Sequence, residues 1–463
     1  MKRILLVLLI LASLFAVSCT KTQGDESFGL EFSSEDENID LNGYECVIAQ
    51  QYPDDEPFKY RADTLVADLV LKRIADIGED LNCNISFKKK GGEYMQDQVQ
   101  FLIAGQYLGE LVCTHQPSYL ARAGVLYPLD VLTDYIDYYD ASKYGSLGIL
   151  EIGMFKSVPY TVAPVSWPEK QSAYSYNIMA INTRHLTTYS ITDPRDLYEQ
   201  GQWTWDGFEQ FIANATFKEP DYTVKSFVTT QNFVDNASFS NGFSYTMTNS
   251  SGETISGVDS DNIKEALDWA GRLFTTYSEN IQIAPNYEAA VNYFLDGYAV
   301  LYQTSFAHLI QSIVYESDAF GVVGFPTGPK GEYGKQYGPI ADFDSMGILY
   351  NANEPEAAAL IISRLFEPLD GYETIDALRS QANTIFFDPR DTELYLTYLG
   401  QTRWNYWTVN LNNQWNNLSA AVRQGQSSTE ALGRYGDAMT AIIEEYIMGN
   451  ADFINDYLER VGG

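Results

Sequence analysis

Between residues 44 and 114 the chain alternates short strand-like runs with stretches of helical periodicity, and that alternation leaves few folds open. Residues 44–49 (YECVIA) read as a strand, 62–78 as a helix, 84–87 (NISF) as a second strand, 94–104 as a helix stopped at Gly105, and 110–114 (ELVCT) as a third strand. Strands separated by helices pair in parallel, because a crossover long enough to hold a helix returns the chain to the same end of the sheet. The sequence therefore predicts an α/β fold. In open sheets of this kind the crevice lies beyond the carboxyl ends of the strands, so the loops 50–58 and 115–119 are expected to border it.

A chain of 463 residues exceeds one ordinary core, so two lobes are expected, and 45% hydrophobic residues suffice to build them. The formal charge is −33, which argues against nucleic acid and against adsorption to anionic lipid. Aromatic residues make up 14% of the chain, with 34 Tyr and 7 Trp, and such rings offer an apolar face with a polar edge. That suits sugar rings, which present C–H faces and hydroxyl rims, although aromatics also fill cores. The three histidines, His115, His185 and His308, show no paired spacing with cysteine, so no metal and no cofactor is expected.

The N-terminus reads as an export signal. Lys2 and Arg3 precede an apolar run from Ile4 to Phe15, too short to span a bilayer, and small residues lead to Cys19. The stretch resembles a bacterial lipobox with Ala16 at the place usually held by Leu, which implies a signal peptide over 1–19, palmitate-type acylation of Cys19 and an extracytoplasmic body anchored to the cell membrane. Acyl chains hold such an anchor through burial worth about 0.8 kcal/mol per methylene. Residues 20–42 are acidic and lack apolar periodicity, a tether reaching about 25–30 Å on random-coil scaling. Removal of the signal takes away two cations and moves the charge from −33 to −35. Cys46, Cys83 and Cys113 then remain, an odd number that allows one disulfide or three buried thiols.

Over almost the whole of its body the chain resembles a known family. Its segments, in order, are Ile103-Ala104-Gly105 before a strand, Gly124-Val125-Leu126-Tyr127-Pro128-Leu129 ("G-x-L-x-x-L"), and Val158-Pro159-Tyr160 with Tyr174-Ser175-Tyr176-Asn177 and Ile181-Asn182. There follow Trp203-Thr204-Trp205-Asp206-Gly207-Phe208 (similar to "TWDEF"), Phe294-Leu295-Asp296-Gly297-Tyr298-Ala299-Val300 ("F-x-x-G-x-A-M"), Phe325-Pro326-Thr327-Gly328-Pro329 ("P-x-G-P") and Ala357-Ala358. In that order they resemble the extracellular solute-binding proteins of family 1, the carbohydrate-binding lipoproteins of ABC importers to which maltose-binding protein belongs. The chain departs from the family with Gly109-Glu110 before the third strand and with Asp342-Phe343-Asp344-Ser345-Met346-Gly347 at a crossing.

The resemblance implies a two-lobed periplasmic-binding-protein-like fold (type II), with discontinuous lobes joined by hinge crossings near 160–175, 335–345 and 370–380. The first lobe would comprise 43–165 plus 340–375 and the second 166–339 plus 376–463. It also implies a monomer that captures a sugar or oligosaccharide and delivers it to a membrane permease, with no bond made or broken. For the site, aromatic faces and planar polar groups are expected from both lobes. The first lobe offers Tyr52, Asp54 and Asp55 after the first strand, and His115, Gln116 and Tyr119 after the third. In the second lobe the resemblance points to Phe306 after the strand 299–303 and to Trp415 at the start of the helix 415–423, the foremost stacking candidate. Trp404 and Trp407 compete with it, Trp167 lies in the first crossing, and Asp342 and Asp344 lie where the chain crosses back. Trp203 and Trp205 are expected to pack in the core, with Thr204 or Asp206 capping the following helix.

Two other readings share the fold. A surface glycan-capture or sensor lipoprotein without transport would have the same sequence signals, and a peptide- or amino-acid-binding protein would need an Arg for the carboxylate, with Arg61, Arg122 and Arg403 as candidates. Enzymatic activity is not expected: the carboxylates form no recognisable pair, and no nucleophile elbow, phosphate loop or HExxH occurs.

Overall fold

A computed structural model describes residues 39–60, 64–89, 99–100, 102–145, 147–168, 177–313, 319–335, 345–399 and 411–461. Cys19, Asp342, Asp344, Trp404 and Trp407 lie outside the described residues, as does most of the expected helix 94–104. Two mixed sheets organise the chain, one per lobe.

The first sheet is built from β1 (Tyr44–Gln50), β2 (Cys83–Lys89), β3 (Leu111–Thr114), β4 (Thr161–Val162) and a late strand, β10 (Ser345–Ile348), in the order β2-β1-β3-β10-β4. β1, β2 and β3 are parallel, as their helical connections require, while β10 runs antiparallel to both β3 and β4. Helix α1 (Leu65–Asp80) joins β1 to β2 and starts at the N-cap Thr64, whose Oγ1 accepts from the Ala67 amide. Its end lies two residues past the stop expected at Gly78. Glycine sits there because the Cys83 carbonyl comes within 3.0 Å of where a Cβ would stand. α2 (Pro117–Arg122) follows β3 directly.

The second sheet contains β5 (Ile178–Asn182), β6 (Thr223–Thr229), β7 (Ile281–Ile283), β8 (Ala299–Thr304) and β9 (Phe320–Gly324), in the order β7-β6-β8-β5-β9. β6, β7 and β8 are parallel, and β5 runs antiparallel to β8 and β9. Its helices include α3 (Pro194–Glu199), α4 (Trp205–Asn214), the wholly buried α5 (Phe233–Ser240), α6 (Asp261–Thr276) and, later in the chain, α8 (Ile375–Ile385), α9 (Pro389–Leu399), α10 (Leu411–Arg423) and α11 (Ser428–Tyr446). α7 (Pro355–Leu365) instead packs on α1 and β10 of the first lobe. Trp203 and Trp205 occupy the second core as expected. The Trp203 indole donates to the Gly324 carbonyl at 2.7 Å, Trp205 stacks on Trp269 at 4.1 Å, and Thr204 caps α4 by accepting from the Gly207 amide.

The strand registers position the crevice. In the first lobe β4 ends and β10 begins side by side, with Met346 opposite Val162 and Ser345 opposite Thr114. In the second lobe β5 begins where β9 ends, with Gly324 opposite Ile178. Both long crossings thus leave and enter adjacent strands, at the sheet edges that carry the carboxyl ends of β1, β3, β6 and β8. Those edges are the ones that the two crossings connect.

The last helix, α12 (Ala451–Val461), departs from the assignment of residues 376–463 to the second lobe. Phe453 stacks on Tyr139 of the first lobe at 5.5 Å with rings 8° from parallel, and Tyr457 stacks on the same ring at 5.9 Å. An aromatic face on each element makes that return favourable.

The departure at Gly109-Glu110 also has a structural basis. A Cβ at Gly109 would stand 2.5 Å from the Val47 carbonyl, and the buried Glu110 carboxylate accepts from the Asn353 amide at 2.7 Å, the Asn353 Nδ2 at 2.8 Å and the Tyr107 hydroxyl at 2.8 Å. Glu110→Ala is expected to cost about 2 kcal/mol in urea unfolding, since it leaves buried donors unmatched. Glu110→Gln, which keeps one acceptor oxygen, should cost less.

Candidate functional site

The loop after β1 is fixed from beneath by Gln50. Its buried side chain donates through Nε2 to the Pro53 carbonyl at 2.7 Å and the Glu56 carbonyl at 3.3 Å, and its Oε1 accepts from the Phe58 amide at 3.3 Å. The loop then turns through left-handed backbone at Phe58 (φ 56°) and Lys59 (φ 67°), which drops the Phe58 ring into a cluster with Phe87, Trp167 and Phe366 at 5.0–5.8 Å. Burying Phe58 holds the first half of the loop at the carboxyl end of the sheet.

There Tyr52 and His115 meet. The Tyr52 hydroxyl lies 3.1 Å from His115 Nε2, and Gln51 Nε2 donates to that hydroxyl at 3.1 Å and contacts the same imidazole nitrogen. The rings of Tyr52 and His115 are set edge to face. Gln116, whose amide donates to Thr114 Oγ1 at 3.0 Å, and Tyr119 on α2 continue this rim, both half-buried. β1 and β3 are neighbours in the sheet, so their following loops converge; this is why residues 63 positions apart touch.

In the second lobe, the loop just after β6 carries Gln231, exposed, and Asn232, half-buried. They are positioned by a polar lattice beneath them: Thr229 Oγ1 donates to Gln303 Oε1 at 2.5 Å, and Gln303 Nε2 and Asn236 Nδ2 both donate to the Asn232 carbonyl, at 3.1 Å and 2.8 Å. Ser419 of α10 donates to the Gln231 carbonyl at 3.0 Å. Asp235 and Asn236, charged and polar yet buried on α5, belong to the same lattice, with Asp235 Oδ1 accepting from the Asn236 amide at 2.8 Å. Together the two rims present amides, hydroxyls and an imidazole, a donor and acceptor set for uncharged polar ligands. Among the described residues no three His, Cys, Asp or Glu side chains form a group able to hold a metal.

Several expected site residues stand elsewhere. Trp415 is 3% exposed, its Nε1 donates to Tyr245 Oη at 3.0 Å, and its ring packs against Phe239 and Phe243 in the second core. Phe306, also 3% exposed, packs against Phe386 and Tyr395, because the chain turns inward after Ser305 caps the next turn. Trp167 has no exposed surface; its ring fills the first core beside Phe58 and Phe366, and its Nε1 donates to the Glu367 carbonyl at 3.0 Å. Asp54 is engaged on the exposed side of the loop, accepting from the Lys89 amide at 2.6 Å and pairing with Lys88 at 3.2 Å, and Asp55 is exposed beside it. In each tryptophan the amphipathic edge is satisfied by an internal acceptor, and the same ring chemistry that suits a sugar suits a core. Gln51, within the loop 50–58 expected to border the crevice, and Gln231 and Asn232 belong to no motif of their own. The signal that could have found them is position alone, as the first polar residues after strands whose carboxyl ends face the crevice.

No protein-family model matches the chain, and no curated protein sequence matches it. Solved structures do. The GacH receptor of Streptomyces glaucescens, solved unliganded and with acarbose, is similar at a TM-score of 0.57 and 12% identity, over 87% of this chain and 99% of its own. UgpB from Mycobacterium tuberculosis, in complex with glycerophosphocholine, matches at 0.59 and 16% identity, over 88% and 99%. The sugar-binding protein MalE from Xanthomonas citri matches at 0.59 and 12% identity, over 86% and 97%. At such identities the likeness concerns the fold, which is the two-lobed type II architecture of periplasmic binding proteins, with discontinuous lobes joined by crossings.

Proposed function

We propose that this chain is the extracytoplasmic substrate-binding lipoprotein of an ABC importer, capturing a sugar or oligosaccharide between its lobes and delivering it to a membrane permease. The observation that carries this reading is the presence of two polar rims, Gln51-Tyr52 with His115 and Gln116 in the first lobe and Gln231-Asn232 in the second, each at the sheet edge where both long crossings leave and enter. A ligand that contacts both rims favours the state in which they approach, so rotation about the crossings closes the lobes and no bond need be made or broken. The sugar complexes of proteins with this fold support the ligand class, for example the one with β-1,6-galactobiose from B. animalis subsp. lactis. In this reading Cys19 carries the lipid anchor, residues 20–42 form the tether, and the protein acts as a monomer. No helix among the described residues is long and apolar enough to cross a membrane. The lobes are proposed to divide at 165/166, 339/340 and 375/376, with α12 returning to the first.

The test is a thermal-shift screen of residues 20–463 against mono- and oligosaccharides, with peptides, amino acids and glycerophosphodiesters alongside. A bound ligand at a hundredfold excess over its Kd stabilises the folded state by about 2.7 kcal/mol, which raises the melting temperature. We expect a saccharide to give that shift, and Tyr52→Ala and Gln231→Ala each to diminish it while leaving the ligand-free melting temperature close to the parent's. A shift with peptides or glycerophosphodiesters and none with sugars would sink the carbohydrate reading.

A further inference from the structure

The two lobes are joined by more than their crossings. α11 belongs to the second lobe, where Met439, Ile443 and Tyr446 are buried in its core, whereas α12 lies on the first. The turn between them, Met448–Asn450, is locked at one residue. Asn450 is buried, its Oδ1 accepts from the Ser157 amide at 3.0 Å, and its Nδ2 donates to the Tyr446 carbonyl at 3.1 Å. One side chain thus bonds the tip of the first-lobe hairpin 154–159 and the last turn of a second-lobe helix. Ser157 in turn accepts at Oγ from the Phe453 amide at 3.3 Å and donates to the Gly449 carbonyl at 3.2 Å.

On either side of this turn the contacts differ in kind. Beyond it, α12 is fastened to the first lobe by the Tyr139 ring, which stacks on Phe453 and Tyr457, donates its hydroxyl to Asp456 at 2.7 Å, and lies 4.5 Å beneath the Arg460 guanidinium. Before it, Tyr446 meets the first lobe through Phe155 at 5.7 Å and through Arg122, which donates to its hydroxyl at 3.0 Å and pairs with Glu445 at 3.0 Å. Arg122 ends α2, the short helix that begins just after His115 and Gln116.

We propose that α12 is a strap that limits how far the lobes open, with Asn450 as its pivot and Arg122 as the residue that couples the His115–Gln116 rim to it. The strap adds a further covalent link between the lobes, remote in sequence from the crossings. Rotation that widens the crevice must either bend the chain at Met448–Asn450 or strip Phe453 and Tyr457 from Tyr139. Because both choices cost favourable contacts, the strap opposes opening beyond the separation the lobes have here, which keeps a larger share of molecules ready to close on a ligand. A larger competent fraction tightens the apparent affinity in proportion. The proposal rests on the capture reading only for the purpose of closure, and its test needs no ligand.

The experiment uses residues 20–463 with Tyr139→Ala and, separately, Phe453→Ala, two side chains on opposite sides of the same stack. Amide hydrogen exchange within 451–461 should quicken by about tenfold or more in each, as expected when aromatic stacking that holds a helix down is removed. Small-angle scattering of the same ligand-free samples should show a larger radius of gyration than the parent, with exchange in the sheet strands of both lobes unchanged. Faster exchange in 451–461 with an unchanged radius of gyration would overturn the strap, since α12 would then have been released without effect on the lobes. Unchanged exchange in both variants would also overturn it, because Tyr139 and Phe453 would not be what fastens the helix. Failure of the sugar screen with a positive scattering result would leave the strap standing and the ligand class wrong.

Discussion

Replacing Arg195 with Met should destabilise the second lobe by about 3–5 kcal/mol, the cost of leaving a buried charge without its partner. The reason lies in a four-residue sequence that occurs twice: Asp193-Pro194-Arg195-Asp196 opens α3, and Asp388-Pro389-Arg390-Asp391 opens α9. In each copy the arginine is held by its own first aspartate and reaches across to the other copy. Arg195 bonds Asp193 at 2.7 Å and meets Asp388 at 3.1 Å and Asp391 at 3.2 Å. Arg390 bonds Asp388 at 2.8 Å and meets Asp196 at 2.8 Å and Asp193 at 3.7 Å. The two helix starts therefore clasp each other over β9, the edge strand, and the Asp391 carboxylate also accepts from the Val322 amide of that strand at 3.0 Å.

The consequence for pH follows from Asp391. Burial pushes its carboxyl up to about 6 while the Arg195 guanidinium pulls the other way. Loss of Arg195 removes the downward pull, so the folded variant binds a proton at still higher pH than the parent. A group whose folded value is raised contributes stability that is complete below its unfolded value and is lost as pH rises through the folded one. Arg195→Met should therefore be most deficient relative to the parent above neutrality, and the gap should narrow as the pH is lowered toward 5. Urea unfolding at several pH values checks the gap. Arg195→Met combined with Asp391→Asn, which removes the stranded charge and keeps an acceptor for Val322, should recover part of the loss at neutral pH. A loss that neither varies with pH nor responds to the second substitution would show that the clasp is held by packing alone.

What could be read from the sequence was governed by the range of the interactions involved. The alternation of strand and helix from Tyr44 to Thr114 is local, and the structure has those three strands parallel, with β1 between β2 and β3. The N-cap at Thr204 and the burial of Trp203 and Trp205 are local as well, fixed within a helical turn by hydroxyl and apolar spacing. The return of α12 is not local. Nothing within residues 451–461 says that Phe453 and Tyr457 will meet Tyr139 rather than the second lobe, since an amphipathic face fits any apolar surface of the right shape. The site divides in the same manner. That Tyr52 and His115 meet is legible because they follow adjacent strands, whereas the places of the tryptophans are not, because an indole serves a crevice or a core equally and only tertiary contacts decide.

Trp415 is where that distinction has the largest measurable effect. Its ring lies among Phe239, Phe243 and Tyr245, and α10, which carries it, packs on α6 and α11 in the same core. Trp415→Ala is expected to cost about 3–5 kcal/mol, the range for deleting a large aromatic from a close-packed interior. Trp415→Phe, which keeps a ring and loses the bond from Nε1 to Tyr245, should cost about 1–2 kcal/mol. A side chain that stacked on sugar would behave otherwise: the alanine variant would melt close to the parent and lose affinity. The two accounts separate in one experiment, denaturant unfolding of each variant without ligand, followed by a saccharide titration at a temperature where both are folded. We expect stability to fall far more than affinity, with Tyr52→Ala showing the reverse. An alanine variant at Trp415 as stable as the parent yet blind to ligand would move the ring out of the core and restore it to the crevice.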